Sequence, residues 1–147
     1  MRCRELEEWR GPGCAGPFEL TVPAEFRNLA TLRALARHLA AHEGFGPDEA
    51  ADVTIAVDEA CTCLIRRSTP GAMLNCRYSV TFGTLRVAIS TTTTHGGLPQ
   101  NDTFGWRVLG VVTDSLSAWR CETGLHQPTR QLVHIDFTKQ FAPHRRG

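Results

Sequence analysis

The sequence predicts an α+β fold, a two-layer α/β sandwich with helices on one face of a mixed, largely antiparallel sheet. Three observations predict it. Two segments of helical period, "EFRNLATLRALARHLAAHEG" at 25–44 and a second at 48–68, follow each other directly. Four further segments of strand character come in two adjacent pairs, not singly between helices, which is how hairpins build an antiparallel sheet. One more alternating segment, "FELTVPA" at 18–24, precedes the first helix. The expected order is β-α-α-β-β-α-β-β, with no internal repeat and no low-complexity segment.

Each element has its own warrant. Residues 1–16 are polar and close on Gly11, Pro12, Gly13, Gly16 and Pro17, so they are expected to be a flexible lead-in to a domain at 17–140. In the first helix Leu29, Leu32, Leu35, Ala36 and Leu39 fall on one face, and Gly44 and Gly46 stop it. Pro47-Asp48-Glu49 opens the second helix with proline and acidic residues in its first turn. Its stripe is Val53, Ala56, Val57, Ala60 and Leu64; Ile55 and Ile65 lie off that stripe, so a second face is partly covered. "LNCRYSVTFG" and "TLRVAIST" make a hairpin turning at Phe82-Gly83-Thr84. Residues 91–103, "TTTTHGGLPQNDT", lack any period and read as a loop. "FGWRVLGVVTDSLS" (104–117) reads as a third helix, and "AWRCETG" with "RQLVHIDFTKQ" as the closing strand pair. Residues 141–147 are expected to fray.

Composition narrows the function classes. Hydrophobic residues at 41% and charged residues at 21% fit one soluble globular domain of 147 residues. A formal net charge of +1 gives no bulk field toward nucleic acid or an anionic membrane. No apolar run approaches the ~20 residues that span a bilayer, and "MRCRELEEWR" lacks a signal-peptide core, so the chain is expected to be cytoplasmic. The six cysteines, Cys3, Cys14, Cys61, Cys63, Cys76 and Cys121, sit mostly inside periodic segments and are expected to be reduced.

The stretch richest in chemistry is "AVDEACTCLIRR" at 56–67. Cys61 and Cys63 suggest a C-x-C pair, but helical residues two apart point about 200° from each other and cannot share one tetrahedral ion. Cys61 falls near the apolar stripe and reads as a small core hydrophobe. His38 and His42 have two-ligand spacing but no zincin carboxylate, and suit a helix C-terminus instead. No metal site is expected. Glu59 reads as a solvated carboxylate near Arg66 and Arg67. Arg27, Arg33, Arg37, Arg66 and Arg67 form either a solvated basic face or a docking surface. Arg33 and Arg37, four apart, project side by side and could grip carboxylates of a partner.

With "AVDEACT" as its most specific piece, the stretch from about residue 18 to 139 resembles the RsbW-like anti-sigma factors built on the GHKL, histidine-kinase-like (Bergerat-type) ATPase fold. These control stress and sporulation sigma factors in Gram-positive bacteria, and the actinobacterial subgroup, with degraded nucleotide motifs, is the most similar. The resemblance implies that Glu59 stands at the general-base position and Cys63 where an Asn helps to hold Mg²⁺. It places Thr91 where an Asp binds the adenine amino group, and Gly105 on a glycine of the phosphate-binding segment, with Thr103 replacing its companion. Gly96-Gly97 would belong to a mobile lid over the nucleotide. Mg²⁺ prefers hard oxygen ligands, so a thiol at 63 is a poor substitute.

The resemblance therefore implies an anti-sigma factor that sequesters an alternative sigma factor and is released by an anti-anti-sigma antagonist. It would act as a homodimer, with no direct nucleic-acid contact. The alternative it carries is an ATP-dependent serine kinase that phosphorylates that antagonist. With Cys63 and Thr91 in place, ATP and Mg²⁺ are expected to be held weakly. A redox sensor using Cys3, Cys14 and Cys121 is a third reading, resting on the cysteine count alone.

Overall fold

The computed structural model describes residues 14–93, 98–101, 103–122 and 131–141. In chain order these form β1 (Cys14–Pro23), α1 (Leu29–His42), α2 (Pro47–Arg67), β2 (Met73–Thr81), β3 (Thr84–Thr93), α3 (Thr103–Val112), β4 (Ser115–Glu122) and β5 (Gln131–Gln140). Short 3-10 turns at Phe26–Asn28 and Pro99–Asn101 lead into α1 and α3. The expected element order holds. The sheet runs β1-β2-β3-β5-β4, and all four pairings are antiparallel, so it is not mixed. Strand β1 begins at Cys14, four residues ahead of the expected strand; most of the expected lead-in (1–13) and tail (142–147) lies outside the described residues.

Helix ends follow local chemistry. Gly44, with φ +85°, ends α1: its N–H donates to Ala41 O and that of Phe45 to Ala40 O, the paired bonds of a left-handed C-terminal cap. At the start of α2, Glu49 reaches back to accept from the Gly46 N–H at 3.0 Å. Helix α3 stops at Val112, five residues before the helix expected from the sequence. There Thr113 turns its hydroxyl back to Leu109 O (2.7 Å), while the Asp114 N–H donates to Thr138 O (2.8 Å) and hands the chain to the sheet. Leu116 fits both the helical spacing and the alternation of a strand, so the apolar pattern alone could not place this boundary.

All three helices lie on one face of the sheet, with α2 in the middle, packed on α1, α3, β2, β3 and β5. Facing them are Leu74, Cys76, Tyr78 and Val80 of β2, Leu85, Val87 and Ile89 of β3, and Val133, Ile135 and Phe137 of β5. Because α2 is covered on several sides, it buries Cys61, Cys63 and Ile65 as well as its expected stripe. Burying each large side chain such as Leu32 or Leu64 stabilises the fold by about 1.5–3 kcal/mol. Lys139 at the end of β5 reaches Asp52 of α2 at 2.9 Å and ties sheet to helix layer. Among the described residues no helix is long and apolar enough to cross a membrane.

The opposite face of the sheet carries Glu19, Asn75, Arg77, Ser79, Arg86, Ala88, Trp119, Cys121, His134 and Asp136. Cys61, Cys63 and Cys76 are free thiols, as expected. Cys121 is not: it is disulfide-bonded, on an edge strand away from the core that shields the other three.

Candidate functional site

Helix α2 sets Glu59 and Cys63 one turn apart, with Cys63 nearer the C-terminal end. That end is stitched to β3: the Thr69 N–H donates to Thr92 O at 3.0 Å, and the two threonine hydroxyls lie 3.1 Å apart. Thr91 therefore comes to the C-terminal end of α2, on the helix-covered face of the sheet. Thr103 opens α3, and Gly105 is buried in its first turn. The lid glycines Gly96 and Gly97 lie outside the described residues.

The chemistry of these positions is specific. Thr91 is 2% exposed, and its hydroxyl donates to Met73 O at 2.8 Å. The proton is committed to the backbone of β2, leaving only oxygen lone pairs, without charge, for an amino group. Cys63 is buried and offers sulfur where a hard cation needs oxygen. Cys61 is more inert still: its hydrogen bond with Cys76, and then burial, push its thiol well above the usual range. Glu59 is half-buried on α2 and has an interaction partner of its own. This donor set does not suit Mg²⁺-ATP.

Two clefts flank these elements. One, of about 370 Å³, lies at the end of β2 and β3 and is lined by Thr69, Met73, Asn75, Ser90, Thr91 and Leu132. The other, of about 420 Å³, lies between α1 and α2, with Pro47, Ala50, Ala51, Thr54 and Ile55 around it and Arg37 at its side. Glu59, Cys63 and Gly105 line neither of the two.

The arginine pair is divided by the structure. Arg33 Nη1 donates to Asp58 Oδ1 at 2.6 Å, crossing from α1 to α2, so Arg33 is partly used within the chain. Arg37 is exposed beside the apolar cleft. Sequence reasoning missed the Arg33–Asp58 pair, because the spacing within a helix cannot reveal a contact between helices. It also missed the Trp119–His134 stack, with ring centroids 3.7 Å apart; the β4–β5 register that makes it is the signal that could have found it.

The described elements form an antiparallel sheet with a central, acid-bearing helix over it and a strand ending beside that helix. The chain belongs to the histidine kinase-like ATPase domain family, whose profile matches residues 22–103. It is 33% identical over 101 residues to "Anti-sigma-F factor RsbW" of Mycobacterium tuberculosis, in both strain CDC 1551 / Oshkosh and strain ATCC 25618 / H37Rv. The match takes in 69% of this chain and 60% of those relatives, so the chain spans less than two thirds of their length. The histidine kinase domain from Erythrobacter litoralis EL346 blue-light activated histidine kinase superposes with a TM-score of 0.46 and 15% identity, over 91% of this chain and 68% of that one.

Proposed function

We propose that the protein is an anti-sigma factor: it binds an alternative, stress- or sporulation-type sigma factor and gives it up when an anti-anti-sigma antagonist competes for an overlapping surface. The observation that carries this reading is the 33% identity to the anti-sigma-F factors. The binding surface is the cleft between α1 and α2, whose apolar floor and flanking Arg37 suit a helix with apolar anchors and a carboxylate. It works in the cytoplasm as a homodimer.

A second reading, a serine kinase acting on the antagonist, is favoured by one observation, the carboxylate of Glu59 on α2. Against it stand the buried sulfur of Cys63 and the committed hydroxyl of Thr91. ATP and Mg²⁺ are held weakly, and sequestration does not require them. The test is capture of partners on the full chain from its native bacterium, identified by mass spectrometry, with and without ATP. A sigma factor recovered equally in both is the expected result. Recovery of an antagonist alone, phosphorylated in the presence of ATP, would replace the first reading with the second.

A further inference from the structure

Helix α3 turns an apolar side to solvent. Its inner face is settled by Gly105, Leu109 and Val112, which are buried where α3 packs on α2. On the outer face Phe104 and Val111 are 74% and 82% exposed, with Arg107 exposed between them. Steps of three, four and three carry this seam from Phe104 through Arg107 and Val111 to Asp114, so the four residues follow one side of the helix and the turn that ends it. Two large apolar groups left in water on one ten-residue helix mark a surface for another chain to cover.

Gly110 lies beside Val111 on the same exposed side. A glycine weakens a helix interior, and a Cβ here would meet nothing within 4 Å, so packing within the chain gives no reason for it. Its missing side chain leaves a notch where a second backbone can come close. The charges say whose backbone. Arg107 has no ion-pair partner among the described residues. Asp114 is exposed just past the helix, where its Oδ2 accepts from the Gln140 N–H at 2.6 Å and its Oδ1 stays available. When two copies of α3 cross antiparallel about a two-fold axis, the register that sets Arg107 opposite the second copy's Asp114 also sets Val111 opposite the second copy's Gly110, because both pairs are centred between residues 110 and 111. A register centred on Arg107 would instead set the two arginines against each other.

We propose that this face joins two copies of the chain, each Val111 seated in the other's Gly110 notch and each Arg107 paired with the other's Asp114. The inference rests on the homodimer proposed above and gives it a surface. Two-fold symmetry makes every contact twice, so a patch that carries both a knob and a notch, and both charges, is complementary to itself. Phe104, at the far end of the seam, closes over the turn into the second copy's β4. One helix face buries less than the ~800 Å² per partner of a standard complex, so the dimer is reversible, with a dissociation constant in the micromolar range. Helix α2 stands between α3 and α1, so the interface leaves the α1–α2 cleft open to the sigma factor.

The test is sedimentation velocity on the full chain from about 1 to about 100 µM, a range that brackets the expected affinity. Wild type should pass from monomer to dimer across it, and Val111→Glu should stay monomeric throughout. Gly110→Ala should raise the dissociation constant about ten-fold while raising the thermal midpoint of the diluted monomer, opposite signs that a glycine needed by the fold would not give. Arg107→Glu should weaken dimerisation about ten-fold, and adding Asp114→Arg should restore it, with circular dichroism confirming that each variant folds. A dimer unmoved by these substitutions would overturn the interface and leave the homodimer standing. A wild-type chain that is monomeric across the range would overturn both. Val111→Glu that leaves the dimer intact but costs sigma-factor affinity would give the face to that protein instead.

Discussion

Arg33 and Arg37 are indistinguishable in the sequence, four apart on one helix, yet their surroundings give them different work. Arg33 neutralises Asp58 across α1 and α2, a half-exposed pair worth no more than about 1 kcal/mol. Arg33→Glu would set two carboxylates together, so urea denaturation should show a loss of about 1 kcal/mol. Arg37→Glu should leave stability within ~0.5 kcal/mol. On the proposed binding surface the order reverses: Arg37→Glu should weaken sigma-factor affinity by at least ten-fold in surface plasmon resonance, and the effect should shrink above physiological salt. Equal effects of the two substitutions on affinity would move the surface away from the cleft. The nucleotide positions make a second residue-scale prediction. On the proposed assignment, two lost polar contacts, at 63 and 91, should cost Mg²⁺-ATP binding about 2–4 kcal/mol relative to an intact site. Calorimetry should therefore find no sub-micromolar ATP binding. Cys63→Asn with Thr91→Asp should restore part of it, and Glu59→Ala should abolish any phosphotransfer so gained.

At the scale of elements, the β2–β3 hairpin shows how turn chemistry can be improved. Phe82 and Gly83 have φ of +49° and +77°, the two-residue turn whose first position favours Asn and penalises a bulky side chain. Phe82 is 84% exposed and forfeits little packing, so Phe82→Asn should raise stability by about 0.5–1 kcal/mol, seen as a higher thermal midpoint. Gly83→Ala should lower it, because the positive φ strains any Cβ. This turn was legible in the sequence from Phe82-Gly83-Thr84, as were α1 and α2 from their spacing and caps. The end of α3 was not, since it is decided by Thr113 and Asp114 bonding to groups that an apolar pattern does not report. The candidate site was legible in the same uneven way. That Glu59 and Cys63 share α2 and Thr91 lies on β3 followed from the helical and strand patterns. The commitment of Thr91 to Met73 O, 18 residues away, depends on strand register and could not.

Across the whole molecule, acid sensitivity should trace to the face opposite the helices. His134 is buried there, stacked on Trp119, with Cys121 Sγ 3.8 Å from its Nε2. Burial lowers its pKa from the ordinary 6.5 to about 4. Between those values the unfolded chain binds a proton that the folded chain refuses, so stability rises with pH across the window. The contribution of neutral His134 is complete above about pH 6.5, falls as the pH drops toward 4, and is gone below it. At pH 5 about 1.5 pKa units have been traversed, a loss of roughly 2 kcal/mol. Urea midpoints at pH 7.5 and pH 5 should differ by that amount more in the wild-type chain than in His134→Gln, which cannot charge.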